Sequence, residues 1–304
     1  MSSRLVELSD ALAQATERTA ASAVAVHTES RGSSSGVIWR TGIIVTAEHA
    51  LRRDEGIHVT LADGRVVAAT LVGRDPSTDI AVLKCEEAVS PASAGDAAIA
   101  LKPGSLALVV GRTRASGPVA ALGVVSLVVA ERRTWTGSAL SPYIRLDVAL
   151  QPTANGGAVA DASGKVVGIA TPRFARFGAI AVPAGTIERV VETLLKKGRI
   201  PQGYLGVGLQ AVRLPESLRQ ALQRQEKTGA IVLEVEAESP AQRAGILIGD
   251  ILVTLAGKPV TRLEDVHGQL SGDAIGKSLP LRLVRGGAAQ DLSIVIGERP
   301  RGGE

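Results

Sequence analysis

Three short segments of this chain carry side chains that could do acid–base chemistry. His49 ends a Thr-Ala-Glu-His sequence, Asp79 lies in a Thr-Asp-Ile-Ala-Val-Leu-Lys sequence, and Asn155 lies in a Gln-Pro-Thr-Ala-Asn-Gly-Gly-Ala loop. An imidazole changes its charge near neutral pH, and a carboxylate can hold it in one tautomer. A carboxamide is not a useful nucleophile at neutral pH. A set built from these three residues would therefore lack an attacking oxygen.

The elements that would position these residues are mostly short strands. Between about residues 22 and 185, apolar runs such as 24–26, 36–39 and 123–129 alternate with glycines and turn residues. Asp63-Gly64 is a strong hairpin signal between two of these runs. Strands at this spacing without intervening helices favour a sandwich or a barrel.

Two amphipathic helices flank this β-rich segment. Leu5, Leu8, Leu12 and Ala15 recur at helical spacing, which predicts a helix over roughly 4–21. A second periodic stretch, residues 187–195, is followed by two lysines and then by Gly198, which favours a helix end there.

A second domain follows a short linker. It has its own strand-like runs, and a Thr-Arg-Leu-Glu sequence at 261–264 predicts a capping box at the start of a helix. We therefore divide the chain into four parts: an N-terminal amphipathic helix (1–21), a β domain (22–198), a second domain (203–297) and a flexible tail (298–304).

Composition limits the classes of protein that the chain can belong to. The net charge is +4 and aromatic residues make up 2% of the chain, so nucleic acid is not expected as a partner. Several arginines are close together in sequence, which leaves an anion- or nucleic-acid-binding module as the weakest alternative. They are Arg52 with Arg53, Arg112 with Arg114, Arg132 with Arg133, and Arg173 with Arg176.

Cysteine content and hydropathy bear on location. The single cysteine, Cys85, excludes an intrachain disulfide and is predicted to be a buried core thiol. The opening residues carry acids among the leucines rather than a secretory signal, and no stretch reaches the roughly 18 apolar residues of a membrane span. We expect a cytoplasmic protein, or a periplasmic one if the natural chain is longer. No cofactor or metal is predicted.

Four motifs in a fixed order resemble a known family. Residues 30–198 resemble the protease domain of the HtrA/Deg serine proteases, and residues 203–297 resemble the PDZ domain that follows it. The motifs are residues 34–38, Thr46 to His49, residues 72–84 and Pro152 to Gly157. The resemblance implies a mainly β fold, in which a chymotrypsin-like double β-barrel precedes a β-rich α+β PDZ domain. It also implies a site in the cleft between the barrels.

The resemblance assigns roles within that site. His49 matches the base and Asp79 the carboxylate that orients it, whereas Asn155 occupies the position of the nucleophilic serine. The oxyanion loop maps onto Thr153, Ala154 and Gly156, and Thr153 replaces a glycine. A β-branched residue disfavours a positive φ, so the backbone donors are expected to be misaimed. We found no substitute nucleophile in Ser138, Ser141 or Ser163.

In the second domain the resemblance implies peptide binding. Tyr204, Leu205, Gly206 and Val207 match the loop whose backbone N–H groups bind a peptide carboxyl terminus, and the next strand offers an edge for the peptide. Leu209 continues the apolar face, and Val266 and Leu270, on the helix after Thr261, would form the other wall. His267 is expected to be exposed.

Two main interpretations follow. The first is a catalytically impaired HtrA-like protein that binds unfolded or C-terminal peptides as a scaffold, sensor or chaperone-like factor in protein quality control. The alternative is an active serine-type endopeptidase with an atypical nucleophile. The family also implies a homotrimer to which the N-terminal segment contributes.

Overall fold

A computed structural model describes most of the chain. The described residues are 3–28, 32–86, 101–130, 132–133, 139–140, 142–175, 177–270 and 272–300. The chain divides into two compact units, the first comprising 1–132 and 140–200 and the second 133–139 and 201–304. The N-terminal helix therefore belongs to the same unit as the β domain. Ser138, Ser141, Arg176 and the tail residues 301–304 lie outside the described residues.

The first unit begins with a closed six-stranded barrel whose strand order is β1-β2-β3-β6-β5-β4. Its interior is filled by aliphatic side chains such as Ile38, Ile44 and Leu83, and Cys85 is buried in the same cluster as predicted. The Asp63-Gly64 hairpin turn is confirmed, with the Gly64 N–H donating to the Leu61 carbonyl. The strands are β1 (Ala23–His27), β2 (Ser33–Arg40), β3 (Ile43–Ala47), β4 (Ile57–Thr60), β5 (Val66–Asp75) and β6 (Ile80–Lys84).

A second closed six-stranded barrel follows, with the strand order β11-β14-β13-β12-β7-β8. Val109, Leu146 and Ala181 are among the side chains that fill it. Its strands are β7 (Leu106–Thr113), β8 (Gly117–Val129), β11 (Tyr143–Asp147), β12 (Ala158–Ala160), β13 (Val166–Thr171) and β14 (Ala179–Pro183), and a two-stranded ribbon is formed by β9 (Arg132–Arg133) and β10 (Ala139–Leu140). The predicted double barrel is confirmed.

Helix α1 (Arg4–Ala20) confirms the predicted N-terminal helix, but only its second half packs on the barrels. Ala15 and Ala20 are buried against Leu108 and Val110 of β7. The Arg112 side chain, also on β7, donates to the carbonyls of Ala20 and Ala23 at 2.9 and 2.7 Å. The first bond satisfies the carbonyl of the last helical residue, which has no intrahelical donor, and the second holds the first residue of β1.

The apolar side chains in the first half of α1 are not packed. Leu5 and Leu8 share the helical spacing of Ala15, yet they are 76% and 47% exposed. The helix continues beyond the barrel surface that Ala15 contacts, so its first two turns present their apolar side chains to solvent.

Helix α2 (Ala184–Lys197) closes the first unit as predicted. It buries Ile187, Val190 and Leu194, and Gly198 ends it in the left-handed conformation with φ 68°. Its Glu188 accepts a hydrogen bond of 2.6 Å from the Trp39 ring N–H and also bonds Arg40, both on β2. The helix therefore joins the end of the second barrel to a strand of the first.

The second unit is built around one antiparallel sheet with the strand order β16-β17-β18-β20-β21, in which β19 pairs with β18. A separate pair, β15 with β22, closes the domain. The elements are β15 (Gly203–Tyr204), β16 (Val207–Arg213), α3 (Glu216–Ala221), β17 (Thr228–Val235), α4 (Pro240–Arg243), β18 (Ile251–Leu255), β19 (Lys258–Pro259), α5 (Leu263–His267), β20 (Ser278–Arg285), β21 (Ala288–Val295) and β22 (Gly297–Glu298). This β-rich α+β arrangement confirms the predicted second domain.

The helix expected after Thr261 is shorter than predicted, and its capping differs. Asp265, rather than Glu264, accepts hydrogen bonds from the Thr261 N–H and hydroxyl and from the Arg262 N–H, at 2.8, 2.6 and 2.9 Å. The helix ends at His267, which is exposed as predicted. Leu270 therefore lies beyond the helix, and its carbonyl accepts from the Gly203 N–H.

Candidate functional site

The first candidate site lies where strand β3 of the first barrel ends and its neighbour β6 begins. Strand β3 ends at Ala47, and the 3₁₀ turn Glu48–Ala50 that follows carries His49. Asp79 comes directly before β6 with φ 59°, in the left-handed region that non-glycine residues rarely adopt. Such strain persists only where the surrounding structure enforces it, and it concentrates at functional sites.

The turn that enforces this conformation is held by a second carboxylate. Buried Asp75 accepts hydrogen bonds from the Ser77 N–H at 3.1 Å, from the Ser77 hydroxyl and from the Thr78 hydroxyl at 2.7 Å. Because these bonds fix residues 75–78, the chain reaches Asp79 in one orientation.

Asp79 in turn fixes His49. One Asp79 carboxylate oxygen accepts from the His49 backbone N–H at 2.9 Å, and the other lies 2.7 Å from His49 Nδ1. The Thr171 hydroxyl, at the end of β13 in the second barrel, donates to that second oxygen. The carboxylate is fully buried, so it requires these donors. With its proton on Nδ1, neutral His49 presents the lone pair of Nε2 outward.

The group that meets this lone pair is an amide. Asn155 Nδ2 lies 3.2 Å from His49 Nε2 and donates to it. The structure therefore brings His49, Asp79 and Asn155 together in one hydrogen-bonded chain. A serine hydroxyl in this place would lose its proton to Nε2 and attack a carbonyl. The amide nitrogen has its lone pair delocalised, so the same hydrogen bond activates no nucleophile.

The loop before Asn155 forms a 3₁₀ turn, Pro152–Ala154. The Asn155 N–H donates to the Pro152 carbonyl at 3.3 Å within this turn. In the trypsin-like mechanism the oxyanion is bound by the backbone N–H of the nucleophile and of the residue two before it. These donors would here belong to Asn155 and Thr153, so one of the two is already occupied by the turn.

The loop residues divide between two roles. Ala154 is buried in the second-barrel core, whereas Gly156 adopts φ 77° and allows close backbone approach. A Cβ at Gly156 would lie 2.5 Å from both the Ala47 nitrogen and the Ser35 carbonyl oxygen, so only glycine fits there.

Ser35, on β2, binds both the loop and the neighbouring strands, and all of its polar groups form hydrogen bonds. Its N–H donates to the Asn155 carbonyl at 2.9 Å, and its hydroxyl donates to the Thr153 carbonyl at 2.6 Å. The same hydroxyl accepts from the Arg112 N–H at 2.9 Å, and its carbonyl accepts from the Thr46 hydroxyl at 2.6 Å. The 3₁₀ turn is therefore tied to strands of both barrels.

An ion-pair network borders His49. The Glu48 carboxylate lies 3.4 Å from Arg74, on β5, and 3.4 Å from Arg173, which follows β13. Arg74 also bonds Asp54 at 2.6 Å. Because Arg173 belongs to the second barrel, this network spans the cleft beside the candidate site.

The second candidate site lies in the second unit, in the loop from Tyr204 to Val207. The carbonyls of Leu205 and Gly206 accept from Ala241 and Glu236, whereas the N–H groups of the same two residues donate to no residue that the structure describes. Gly206 has φ 76°, and a Cβ there would lie 2.2 Å from Ser239 Cβ. The loop thus leaves two adjacent N–H groups without an acceptor among the described residues.

The strand and the turn beside this loop supply apolar walls. Strand β16 is at the edge of its sheet, with one side paired to β17. Val207 and Leu209 on this strand and Leu270 on the opposite side are partly buried. Leu205 and Val266 beneath them are buried. The apolar residues predicted to bind peptide therefore lie in one cluster, although Leu270 comes from the turn after α5.

Other features considered in the sequence give less support for a functional site. Arg112 is buried against backbone carbonyls and Arg173 is paired with Glu48, so neither is free to bind an anion. Within the described ranges, no group of three or more His, Cys, Asp or Glu side chains could hold a metal ion. No helix in the described part of the chain is long and apolar enough to cross a membrane.

Three contributors to the first site were missed by sequence reasoning. Thr171 ends an apolar strand and Ser35 lies in a recognised motif, but neither sequence context indicates its hydrogen-bond partner. The Pro152 carbonyl accepts a backbone hydrogen bond within the local turn, and the Pro-Thr-Ala sequence does not indicate that this bond forms.

Comparison with known proteins identifies both units. A model of the trypsin-like peptidase domain matches residues 34–169, and a model of the PDZ domain matches residues 203–296. Among solved structures, HtrA-type protease AlgW with a decapeptide matches with a TM-score of 0.75 and 26% identity, covering 95% of this chain and 99% of that one. The serine endoprotease from Yersinia pestis matches with a TM-score of 0.74 and 28% identity, over 95% and 98% of the two chains.

Curated relatives indicate the same family. A probable periplasmic serine endoprotease DegP-like of Pseudomonas putida (strain GB-1) is 32% identical over 279 residues, covering 90% of this chain and 57% of the relative. Its counterpart from Ectopseudomonas mendocina (strain ymp) is 30% identical over 282 residues, covering 91% and 58%. The chain thus spans a little over half the length of these relatives. By its double barrel, its PDZ domain and their order, it belongs to the HtrA/Deg family of trypsin-like serine proteases.

Proposed function

We propose that this chain is a catalytically impaired member of the family that binds exposed or C-terminal peptide segments of other proteins without cleaving them. The observation that carries the proposal is the contact between Asn155 Nδ2 and His49 Nε2, at 3.2 Å. It puts an amide where the mechanism requires an ionisable hydroxyl. In subtilisin, which uses the same chemistry on another fold, removing the nucleophilic serine costs about six decades in turnover.

The oxyanion loop supports the same conclusion. Mutagenesis in related mechanisms indicates that one lost oxyanion donor costs about 10²–10³ in kcat. Here the Asn155 N–H is held by Pro152, and Ser35 fastens the neighbouring Thr153 carbonyl. The residual activity that binding and an open oxyanion hole provide without a serine would therefore be reduced further.

Peptide binding is supported by the second unit. Two N–H groups with no acceptor among the described residues suit a carboxylate, and β16, the edge strand of the described sheet, can accept an extended strand. Val207, Leu209 and Leu270 provide an apolar surface for the last side chain of the ligand. The related AlgW has been solved with a decapeptide and with a tripeptide.

Membership of the HtrA/Deg family suggests a cellular role for the chain. We propose a scaffold, sensor or chaperone-like factor in protein quality control, assembled as a homotrimer. The exposed Leu5 and Leu8 of α1 are consistent with a contact between subunits. The relatives are named as periplasmic. They give no support to the expected cytoplasmic location, and we propose the periplasm instead.

The alternative is an active endopeptidase with an atypical nucleophile. One observation favours it, namely that the pair of His49 and Asp79 is complete, with bonds of 2.7 and 2.9 Å. The pair also has a structural explanation. A buried Asp79 without its partner would be an uncompensated charge, which destabilises a protein by roughly 3–5 kcal/mol.

Peptide binding is tested with the full chain and a fluorescein-labelled peptide that ends in valine, with either a free carboxylate or an amide. We expect the free carboxylate to bind at least about tenfold more tightly, because the amide cannot use the two N–H groups as charge-assisted donors. Fluorescence anisotropy measures both affinities. Leu209→Asp serves as a variant that should lose binding, and Leu122→Asp, an exposed residue of the first unit, as its control. Equal affinity for the two peptides would contradict the proposed binding mode.

A further inference from the structure

A carboxylate lies over the edge strand of the peptide-binding unit. Gly208 of β16 pairs with Glu234 of β17. The position that a Cβ at Gly208 would occupy is 3.6 Å from Glu234 Oε2 and 3.0 Å from Glu234 Cβ. Because Gly208 has no side chain, the Glu234 carboxylate lies close to the Gly208 backbone of β16, the strand at the edge of the described sheet.

The Glu234 carboxylate is available to a ligand. Glu234 is exposed and makes no ion pair with any residue in the ranges that the structure describes. The same outer face carries Leu233, which is 53% exposed. Gly208 pairs with Glu234 and Leu209 with Val232, so a β-bulge leaves Leu233 as the extra residue between them. An exposed carboxylate therefore lies next to an exposed aliphatic surface.

The register of a bound peptide follows from the alternation of side chains. With the terminal carboxylate at Leu205 and Gly206, the last residue points inward beside Val207, toward the apolar cluster. Successive residues of an extended strand point to opposite faces. The penultimate residue therefore points outward beside Gly208, where the Glu234 carboxylate lies.

We propose that Glu234 makes this groove select peptides whose penultimate residue is lysine or arginine. The inference rests on the peptide binding proposed above and specifies its ligand. The basic group pairs with Glu234, and its aliphatic stem packs on Leu233. An acidic penultimate residue faces a like charge and is disfavoured.

A second carboxylate acts in the same direction. Glu236 lies two residues further along the chain, where its N–H donates to the Gly206 carbonyl and its side chain accepts from the Tyr204 hydroxyl. This hydrogen bond raises the pKa of Tyr204, which keeps the phenol protonated as the donor. Two negative charges beside the loop favour a ligand that has a positive charge near its own terminal carboxylate.

The test uses the full chain and three fluorescein-labelled octapeptides that share one sequence and end in valine. Their penultimate residue is lysine, glutamine or glutamate. Fluorescence anisotropy at low salt should give roughly 3- to 10-fold tighter binding of the lysine peptide than of the glutamate peptide. The difference should shrink in roughly 0.5 M NaCl, where exposed charges are screened.

Variants assign the effect to one residue. Glu234→Gln should reduce the lysine preference to less than about twofold, and Glu234→Lys should invert it. Glu216→Gln removes an exposed glutamate in the first turn of α3 and should leave the preference unchanged. Binding of all three peptides with equal affinity, or a preference that survives Glu234→Gln, overturns the inference while leaving peptide binding intact. Absence of binding by all three, the neutral peptide included, overturns the proposed function together with the inference.

Discussion

Replacing Thr153 by glycine together with Asn155 by serine is expected to give measurable proteolysis, whereas Asn155→Ser alone should give little. The single substitution restores the oxygen that His49 can deprotonate, but the Asn155 N–H remains bound to the Pro152 carbonyl. Glycine at 153 permits the backbone rotation that threonine resists. Because one oxyanion donor is worth about 10²–10³ in kcat, the double variant should exceed the single one by a similar factor.

The measurement is the cleavage rate of a quenched, unfolded protein substrate by the four chains: native, both single variants and the double variant. Adding His49→Ala to the double variant should abolish its activity, which excludes a contaminating protease. Thr153→Gly alone should stay inactive because it still lacks the oxygen. If Asn155→Ser cleaves as fast as the double variant, the 3₁₀ turn is not an obstacle to catalysis.

The second large effect is expected in the stability of the second unit. Asp250→Ala should lower its free energy of unfolding by about 2–3 kcal/mol. Buried Asp250 accepts two hydrogen bonds from Arg285, at 2.8 and 2.7 Å, and one of 2.8 Å from the Leu247 N–H. Removing the carboxylate leaves the amide without its acceptor and the guanidinium without its partner. In a domain of this size the Tm falls by roughly 4–8 °C per kcal/mol.

A matched control lies in the same sheet. Asp291 forms a similar two-bond pair with Arg282, at 2.7 and 2.8 Å, but both side chains are exposed. Asp291→Ala should therefore change stability little, since exposed ion pairs are solvated and screened. Hydrogen exchange of the β18 and β20 amides reports the second unit specifically. Equal protection losses in the two variants would contradict the role assigned to burial.

The pair of Asp250 and Arg285 also sets part of the loss of stability at acid pH. Burial alone would raise the pKa of Asp250, but the hydrogen bonds from Arg285 and Leu247 outweigh it and hold this pKa below its ordinary value. The stability that Asp250 contributes is therefore present above its unfolded pKa of about 4 and is lost as the pH falls through its folded value. Asp250→Asn should show a shallower loss of stability over that acid range than the native chain.

Much of the fold could be predicted because its signals are local. The periodicity of residues 187–195 and the glycine at 198 define α2, and Asp63-Gly64 defines a hairpin. The extent of packing could not be predicted in the same way. Leu5 and Leu8 have the right spacing for a packed face, but the barrel surface under α1 begins only further along the helix.

The candidate site likewise combines features that the sequence predicts with features that it does not. The residue types of His49, Asp79 and Asn155 can be read from their motifs, and so can the loss of the nucleophile. The direction of a backbone N–H cannot be read there, because whether Asn155 faces a substrate or the Pro152 carbonyl depends on the turn and on Ser35, 118 residues before Thr153. Thr171 was missed for a related reason, since its partner Asp79 lies 92 residues away in the other barrel.

The central claim is that the native chain binds peptides and does not cut them. It is tested most directly by incubating the full chain with the quenched unfolded substrate beside His49→Ala. We expect the two to give the same rate, with neither exceeding the rate without protein, because Asn155 supplies no nucleophile to His49. Turnover by the native chain that disappears in His49→Ala would contradict this claim and show that another group is attacking the substrate.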